Sequence, residues 1–315
     1  MTFSTQIPIS KSKDLIDYGS KIFGMGSCFA ENMGTKFEAY KFQNLVNPFG
    51  IIFNVASILK IIKRTVNNDL FTEKDLFFNE NRWHCFDVHS KNSHENQEIL
   101  IENLNKTLFD SKNFISNATH IIITVGTSWV YQTIERQQIV ANCYKLPHHH
   151  FNKKILSCDE TIAYLQEIIF LIQSINPKAN IIFTVSPVRH IKDGFFENNV
   201  SKGILLQAIF AIQQSNLAAC YFPSYEIVMD ELRDYRFFEA DMLHPNHVAI
   251  DYIWERFYQT YINDNCIEVS KKVIKIQKML QHRQLDANAN SIVALQNKID
   301  HMIQNLKSTN PEIIF

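Results

Sequence analysis

An α/β fold, with a parallel sheet between layers of helices, is the fold class that the sequence predicts. Short uninterrupted apolar runs, HIIITV at residues 120–125 and NIIFTV at residues 180–185, are typical of parallel strands that are buried on both faces. Segments with apolar residues at helical spacing separate these runs, as expected for alternating strands and helices. The chain of 315 residues is 46% hydrophobic, which is enough for a large core.

The first part of the chain predicts a strand that is followed at once by a helix. The apolar run Ile22–Met25 has the length of a short buried strand, and a helix is expected over Phe29–Tyr40. Proline and glycine mark Asn47–Gly50 as a loop. Apolar residues at helical spacing then predict two further helices, over Asn54–Thr65 and Glu95–Phe114.

The second part of the chain repeats this alternation. A helix over Asp159–Ile175 precedes the apolar run at 180–185, and a helix over Asn198–Asn216 precedes a third strand, AACYF at residues 218–222. A last helix is expected over Pro245–Tyr261, because a proline in the first turn costs little. The repeated alternation predicts a parallel sheet with helices on both faces.

The C-terminal tail has a different pattern. From Glu268 to Leu306 the apolar residues recur at helical spacing, and the polar segment Asp286–Ser291 interrupts them. We therefore expect two domains, an α/β domain over 1–262 and a helical hairpin over 263–315. The hairpin is expected to pack either on its own domain or on a second copy, so a homodimer through these helices stays open.

Charge and cysteine usage exclude several classes of protein. The formal net charge is −1, so no overall field favours nucleic acid or an anionic membrane. No stretch of about 18 uncharged apolar residues predicts a membrane span. The six cysteines form no C-x-x-C pair, and a disulfide framework is not expected in a chain of this length. The N-terminus has no long apolar stretch, and the sequence therefore predicts a soluble cytoplasmic protein.

Candidate chemistry lies where the predicted strands end, because ligands bind at the carboxyl ends of parallel strands. Polar and small residues follow four strands or loops, at 26–28, 126–129, 186–190 and 241–246. In the last of these, Asp241 stands three residues before His244. A histidine can act as the base for a nucleophile when a carboxylate fixes its tautomer. The alternative is that Asp241 only caps the next helix and His244 is an ordinary loop residue.

The candidate nucleophile lies in GMGSCF, at residues 24–29. A strand that turns sharply into a helix would lift Ser27 or Cys28 to the top of the sheet, and glycine allows such a turn. Adjacent side chains leave a turn in different directions, so one of the two is expected to face His244. Ser27 is the predicted nucleophile and Cys28 the alternative, and an ordinary turn without chemistry is the third interpretation.

Six stretches of the sequence form a distinctive set of motifs. The first is GSCFAENMG at residues 26–34. The others are NPFGI at 47–51, VGTSWVY at 125–131, VANCYKLP at 140–147, FTVSPVRHIKDG at 183–194 and YFPSYEIVMDELRDYRFFEADMLHPN at 221–246. These motifs, in this order, resemble the GSCFA family, a branch of the SGNH hydrolase and esterase-lipase superfamily. The resemblance covers roughly residues 1–260. It implies a flavodoxin-like three-layer α/β/α fold, with Ser27 as nucleophile, His244 as general base and Asp241 as the group that orients it.

The resemblance also implies an oxyanion hole. Its donors would be the backbone N–H groups of Ser27 and Gly50, together with a side chain from a third block. The superfamily has Asn in that block, where this chain has Ser128. Asn47 is the other candidate donor. A hydroxyl reaches less far than an amide, and the loss of one donor commonly lowers the rate by about 10²-fold or more.

Four residues are considered for contacts with the substrate. Arg189 and His190 follow a buried strand, and Arg189 is expected to bind a carboxylate or phosphate of the substrate or to pair with an acid of the scaffold. Trp129 and Tyr131 would stack on a sugar or belong to the core. The consecutive residues His148–His150 cannot all bind one ion, so no metal site is predicted.

A serine ester hydrolase that acts on an acyl ester, with an acylated carbohydrate as one candidate, is the predicted function. No cofactor and no nucleic-acid partner are expected. Two alternatives remain open. One is a non-catalytic binding or scaffold protein with a degenerate site, and the other is an acyltransferase that uses Cys28.

Overall fold

A five-stranded parallel sheet forms the centre of the fold. The computed structural model describes residues 5–215, 219–281 and 289–315, with the backbone alone over 289–292. The strands of this sheet lie in the order β10-β9-β5-β1-β2, and every neighbouring pair is parallel. Their bounds are Lys21–Gly26 (β1), Gln43–Val46 (β2), His120–Val125 (β5), Asn180–Val185 (β9) and Ala219–Tyr221 (β10). This arrangement confirms the predicted fold class.

Two helical layers cover the sheet, one on each face. One layer holds α2 (Val55–Asn67), α3 (Gln97–Asn117), α4 (Cys158–Ile175) and α5 (Phe195–Gln214). The other holds α1 (Cys28–Ala39) and α7 (His247–Tyr261), with α8 (Cys266–Gln281) and α9 (Ala289–Thr309) further along the chain. A short helix, α6 (Ser224–Glu226), follows β10.

The alternation of side chains along the strands builds two separate cores. In β1, Phe23 and Met25 belong to the core under α2 to α5, whereas Ile22 belongs to the core under α1 and α7. Ile121 and Ile122 in β5 divide between the same two cores. Because successive residues of a strand point to opposite faces, a run that is apolar throughout is needed to bury both sides of the sheet.

Antiparallel strands form two small sheets outside the central one. β3 (Leu76–Asn79) pairs with β4 (Arg82–Cys85). β6 (Trp129–Thr133) pairs with β7 (Ile139–Val140) on one side and with β8 (Phe151–Ile155) on the other. The sequence did not predict β6 to β8, nor the edge strand β2. These strands are short and only partly buried, so they lack the apolar runs that reveal β5 and β9.

The predicted helices are present with small shifts at their ends. Asn54 and Asn246 cap α2 and α7, and each side chain accepts a backbone N–H of the first turn. The expected helix over Asn198–Asn216 is α5, which begins earlier, at Phe195, and Asn216 lies outside the described residues. Residue 218, the first of the expected third strand, lies outside them as well.

The two tail helices pack on the α/β part of the same chain. Val273 and Ile276 of α8, and Ile299 and Leu306 of α9, are buried in the core that contains α1 and α7. The break between the helices is predicted over Asp286–Ser291. Residues 286–288 lie outside the described residues, whereas residues 289–291 belong to the first turn of α9, so that part of the prediction is wrong. The division of the chain at residue 262 and the homodimer stay predictions. None of the helices in the described ranges is long and apolar enough to cross a membrane.

Candidate active site

A cavity of about 520 Å³ opens at the carboxyl ends of the central strands. The start of α1 borders it through Ser27 and Cys28, and the loop before α7 borders it through His244. Arg189 and His190, which follow β9, form another part of its wall. Residues that are far apart in the sequence therefore meet in one cavity, where a parallel sheet is expected to bind its ligand.

The turn between β1 and α1 requires a glycine. Gly26 has a φ of +153°, and a Cβ at this position would lie 2.2 Å from the carbonyl oxygen of Thr124. Ser27 follows as the cap of α1, and its Oγ accepts the N–H of Phe29 at 3.2 Å. The N–H of Ser27 donates to the oxygen of Thr124 at 3.1 Å. Ser27 is 2% exposed, so its main contribution to this structure is to hold the turn.

Cys28 occupies the first position of α1 and is partly exposed. Its backbone N–H finds no acceptor among the residues that the structure describes, as expected in the first turn of a helix. Burial raises the pKa of the Cys28 thiol, whereas nearby backbone N–H groups and the charge of Lys202 act in the opposite direction. Cys28 therefore offers the cavity both a thiol and a free hydrogen-bond donor.

The predicted pair of Asp241 and His244 is present. Oδ2 of Asp241 lies 2.6 Å from Nδ1 of His244. Oδ1 of the same carboxylate accepts the backbone N–H groups of Leu243 at 2.8 Å and of His244 at 3.0 Å. These backbone bonds, and then the imidazole, lower the pKa of Asp241 to about 2. Asn246, not Asp241, caps α7, so the carboxylate serves the imidazole.

The loop that carries this pair is held in an uncommon conformation. Met242 has a φ of 60°, in the left-handed region that few residues other than glycine adopt. Nη2 of Arg189 donates to the carbonyl oxygen of Met242 at 2.6 Å. The guanidinium also lies over the rings of Phe238 and Tyr235, at 5.0 Å and 5.7 Å. Arg189 thus contacts the backbone of the loop that positions His244.

The nucleophile candidates and His244 share the cavity but are not in direct contact. No hydrogen bond within the described ranges joins His244 to Ser27 or to Cys28, so the predicted bond from Ser27 Oγ is absent here. Such bonds in active sites are often long until a substrate is bound. The structure therefore brings the nucleophile candidates and His244 to one cavity, and the carboxylate-bound imidazole lies on the rim of that cavity.

Two of the predicted oxyanion donors are used to support the turn instead. Oδ1 of Asn47 accepts the N–H of Gly26 at 2.8 Å, and Nδ2 of Asn47 donates to the oxygen of Ser27 at 3.4 Å. The N–H of Gly50 donates to the oxygen of Asn47 at 2.8 Å. Neither Asn47 nor Gly50 borders the cavity. The N–H of Ser27 is also occupied, so these three groups are not arranged as an oxyanion hole.

Ser128, the fourth predicted donor, is bound to helix α5. It is fully buried, and its Oγ donates to the carbonyl oxygen of Ser201 at 2.8 Å. Its backbone N–H donates to Oγ of Ser201 at 2.7 Å, and that hydroxyl also bonds to Oγ1 of Thr127 at 2.9 Å. The short hydroxyl of Ser128 fits this contact with α5. It therefore anchors the loop after β5 and does not reach the cavity.

Lys202 of α5 is a buried group at this site that sequence reasoning missed. Its side chain is 1% exposed, and Nζ donates to the carbonyl oxygens of Gly126 at 2.6 Å and Ser186 at 2.7 Å. These carbonyls directly follow β5 and β9, so Lys202 ties two strand ends together. No carboxylate of the described chain pairs with Lys202, and burial lowers its pKa to about 7.

His190 lies against Gly126 in the wall of the cavity. Its ring is stacked on Phe53, with centroids 5.1 Å apart, and its backbone N–H donates to Oδ1 of Asn198 at 2.9 Å. Nε2 is buried without a hydrogen-bond partner within the described part of the chain. Burial, and then the charges of Lys202 and His244, lower the pKa of His190 to about 4.

Trp129 and Tyr131 of β6 form an aromatic part of the wall. Nζ of Lys153 lies over both rings, 4.8 Å from the centre of Trp129 and 5.5 Å from that of Tyr131. Lys153 also pairs with Asp193. The predicted alternative of purely core aromatics does not apply, because both rings reach the cavity.

Over the ranges that the structure describes, no group of three or more His, Cys, Asp or Glu side chains could hold a metal ion. The consecutive residues His148–His150 form a single short 3₁₀ turn.

Comparisons with known proteins place this chain in a sequence family. The model of the GSCFA family matches residues 21–257. No curated protein matches the chain. Among solved structures, the chain is similar to an acetyl xylan esterase (Est2A) from the rumen bacterium Butyrivibrio proteoclasticus, with 10% sequence identity and a TM-score of 0.39. The similarity covers 78% of this chain and 67% of that one, and it is too distant to assign roles to residues.

Proposed function

The chain belongs to the GSCFA family, and from this we propose that it is an acyl-ester hydrolase with a nucleophile at the start of α1 and His244 as its general base. The observation that carries the proposal is the 2.6 Å bond from Asp241 to Nδ1 of His244, on the rim of the cavity that α1 borders. A carboxylate at Nδ1 leaves Nε2 as the proton acceptor and stabilises the imidazolium that forms. The resemblance to SGNH hydrolases supports the same reaction.

Three observations support Cys28 rather than Ser27 as the nucleophile. Oγ of Ser27 accepts the N–H of Phe29, its own N–H donates to Thr124 of β5, and Ser27 is 2% exposed. Cys28 is more exposed and has a free N–H. As the first residue of α1, Cys28 also lies at the positive end of the helix dipole, which favours a thiolate and acts against the burial that raises the pKa of the thiol. Ser27, predicted from the sequence, is the competing nucleophile.

The proposed reaction has two halves. Nε2 of His244 takes the proton of the Cys28 thiol, and the sulfur forms a bond to the ester carbonyl carbon. When the tetrahedral oxyanion collapses, the bond to the alcohol oxygen breaks, and the alcohol leaves with the proton from His244. A water molecule then gives its proton to His244 and attacks the thioester. Collapse of the second oxyanion releases the acid and returns the proton to the sulfur of Cys28.

An acylated carbohydrate is the substrate class that we propose for this reaction. Trp129 and Tyr131 line the cavity, and aromatic rings favour the apolar faces of sugars. Arg189, predicted to bind the substrate, borders the cavity, and its Nη2 also donates to the loop of His244 and so supports the base. A screen of acetylated sugars against simple acetate esters tests the substrate class.

Hydrolysis of p-nitrophenyl acetate by matched variants tests the function and the nucleophile together. Cys28→Ala and His244→Ala should lower kcat by about 10³-fold or more, because each removes a reacting group. Ser27→Asn is the matched control, because asparagine caps a helix as well as serine does. It should keep most of the activity.

Each other outcome of this assay has a definite meaning. If Ser27→Asn is inactive and Cys28→Ala is active, the nucleophile is Ser27, and the proposal of a hydrolase function is still correct. If the wild type hydrolyses no ester and forms no acyl-enzyme, the hydrolase is wrong and the degenerate binding protein is favoured.

A further inference from the structure

The oxyanion of the proposed reaction needs donors that the protein has not already used. Preorganised donors at the position where negative charge develops are commonly the largest contribution to this type of catalysis. The N–H of Ser27 donates to Thr124, that of Gly50 donates to Asn47, and Ser128 is bonded to α5. The free N–H of Cys28 is one donor on the cavity side. A second donor has to come from the wall of the cavity.

The ring of His190 lies beside the nucleophile turn. A Cβ on Gly126 would be 3.3 Å from Nε2 of His190, so this nitrogen contacts the residue that directly follows β5. The turn rests on the same strand end, because the N–H of Ser27 donates to the oxygen of Thr124, two residues before Gly126. His190 and Cys28 both border the one cavity, so the two residues lie at the same edge of the sheet.

The position of His190 is fixed on two sides. Its ring lies nearly parallel to that of Phe53, with an angle of 22° between the planes. Its backbone N–H is bonded to Asn198, a buried residue of α5. Nε2 is buried and has no hydrogen-bond partner in the described residues. A buried polar atom that is held in place and left unpaired is unfavourable for the fold, and such atoms are common at functional sites.

Burial, and then the charges around the ring, keep the imidazole of His190 neutral. Lys202 from α5 and His244 from the loop before α7 are the groups whose positive charge opposes protonation of His190. Cys28 of α1 borders the same cavity, and the charge of Lys202 acts on its thiol. While this thiol is protonated, it adds no negative charge that would favour protonation of the ring. A neutral imidazole carries one N–H and can donate it without transferring a proton, as neutral histidine does in other enzymes.

We propose that Nε2–H of His190 donates a hydrogen bond to the oxyanion that forms when the nucleophile at the start of α1 attacks an ester. The inference rests on the proposed function and assigns a catalytic role to a residue that was expected only to bind substrate. His190 takes the place that the superfamily gives to an asparagine and that Ser128 cannot fill.

Substitutions at His190 test this role. His190→Phe keeps an aromatic ring on Phe53 and removes the donor, whereas His190→Gln supplies an N–H again. With p-nitrophenyl acetate, kcat of His190→Phe should fall by about 10²–10³-fold while KM changes little. The kcat of His190→Gln should be at least about tenfold higher than the kcat of His190→Phe. His149→Phe, which changes a histidine outside this cavity, is the control and should leave kcat unchanged.

A second measurement separates a catalytic from a structural role. The rate at which iodoacetamide alkylates Cys28 should be the same in the wild type and in His190→Phe, because no oxyanion forms. The adduct with 1,1,1-trifluoroacetone does contain an oxyanion, and fluorine NMR should show its dissociation constant rising by about 10²-fold in His190→Phe.

Two results would overturn the inference. One is an active wild type whose kcat and adduct affinity are both unchanged by His190→Phe. The proposed hydrolase function then stands, and the role of His190 is wrong. The other is a wild type that neither turns over esters nor forms the adduct, which removes the proposed function and the inference with it.

Discussion

At the scale of single residues, the site depends on side chains whose surroundings differ from what their sequence positions suggest. Ser27 caps a helix, Ser128 anchors a loop, and Cys28 has the free N–H. Asp241 and His244 lie as the Asp-x-x-His spacing predicted. Two residues three positions apart in one loop form a local pattern that can be read directly from the sequence. The partners of Ser128 lie about 70 residues away and only the fold brings them together.

Lys202 gives the stability of the protein a specific pH dependence. Its pKa is about 7 in the folded chain and about 10.4 in an unfolded one. Between these values the unfolded chain binds more protons at this residue, so its contribution to the free energy of unfolding rises with pH. Below pH 7 both states are protonated and the contribution is constant.

Denaturation of the wild type and of Lys202→Met at pH 6.5 and pH 9.5 checks this pH dependence. The variant should be less stable at both values, because two buried carbonyls lose their donor. The stability of the wild type relative to the variant should rise by up to roughly 3 kcal/mol at the higher pH. If the difference in stability between the wild type and the variant were the same at both pH values, the pKa of Lys202 would not be lowered in the folded protein.

Gly26 should not tolerate replacement, because its backbone conformation leaves no room for a side chain. Gly26→Ala places a Cβ 2.2 Å from a carbonyl oxygen at a φ of +153°, and it should cost about 3 kcal/mol or more. Gly203→Ala is the matched control, since nothing lies within 4 Å of its Cβ and it stands inside α5. It should stabilise the protein by about 0.5–1 kcal/mol. Urea denaturation measures both, and equal effects would refute the account of the turn.

At the scale of elements, α5 organises the site. Ser201 and Lys202 stand next to each other on this helix and hold the loops that follow β5 and β9. Asn198, one turn earlier, holds the backbone of His190. One helix therefore sets the positions of the two loops, after β5 and after β9, at the mouth of the cavity.

Ser201→Ala tests the contact between α5 and the loop after β5. It leaves the N–H of Ser128 buried without its acceptor, and it should cost about 1–3 kcal/mol and lower kcat by displacing that loop. Ser215→Ala, at the exposed end of the same helix, is the control and should cost less than about 0.5 kcal/mol. Thermal denaturation and ester hydrolysis check both. An active, fully stable Ser201→Ala would contradict this role.

The central strands and helices could be predicted from the sequence because burial on both faces leaves a pattern in it. HIIITV and NIIFTV have no polar interruption before their last residues, and β5 and β9 match these runs. β2, QNLV, is half-buried at the edge of the sheet and carries no such run. β6 and β8 pair with each other across about 20 residues, and nothing local in WVYQT or FNKKI identifies the partner.

At the scale of the whole molecule, the tail completes one of the two cores. Val273 and Ile276 of α8 are fully buried with residues of α1 and α7, and Ser270 bonds to the hydroxyl of Tyr18 at 2.9 Å. Apolar surface on α1 and α7 would be exposed without these helices. The apolar stripe predicted a hairpin but not the surface on which it packs, because the same stripe could be buried against its own chain or against a second copy.

Deletion of residues 265–315 should therefore lower solubility or change the oligomeric state, because it uncovers that surface. The milder variant Ile276→Ala should destabilise the protein by about 2–5 kcal/mol and leave kcat unchanged. Light scattering after size exclusion and urea denaturation measure these effects. A deletion variant that stays monomeric, soluble and folded but loses activity would mean that the tail takes part in the reaction.

The most direct test of the central claim is to trap and locate the acyl-enzyme. The wild type is mixed with p-nitrophenyl acetate, quenched in acid before turnover is complete, and mapped by peptide mass spectrometry. The account predicts one acetyl group on Cys28, present in the wild type and absent from His244→Ala at the same time point. An acetyl group on Ser27 would contradict the assignment of the nucleophile, and no acetyl group on either residue would contradict the hydrolase.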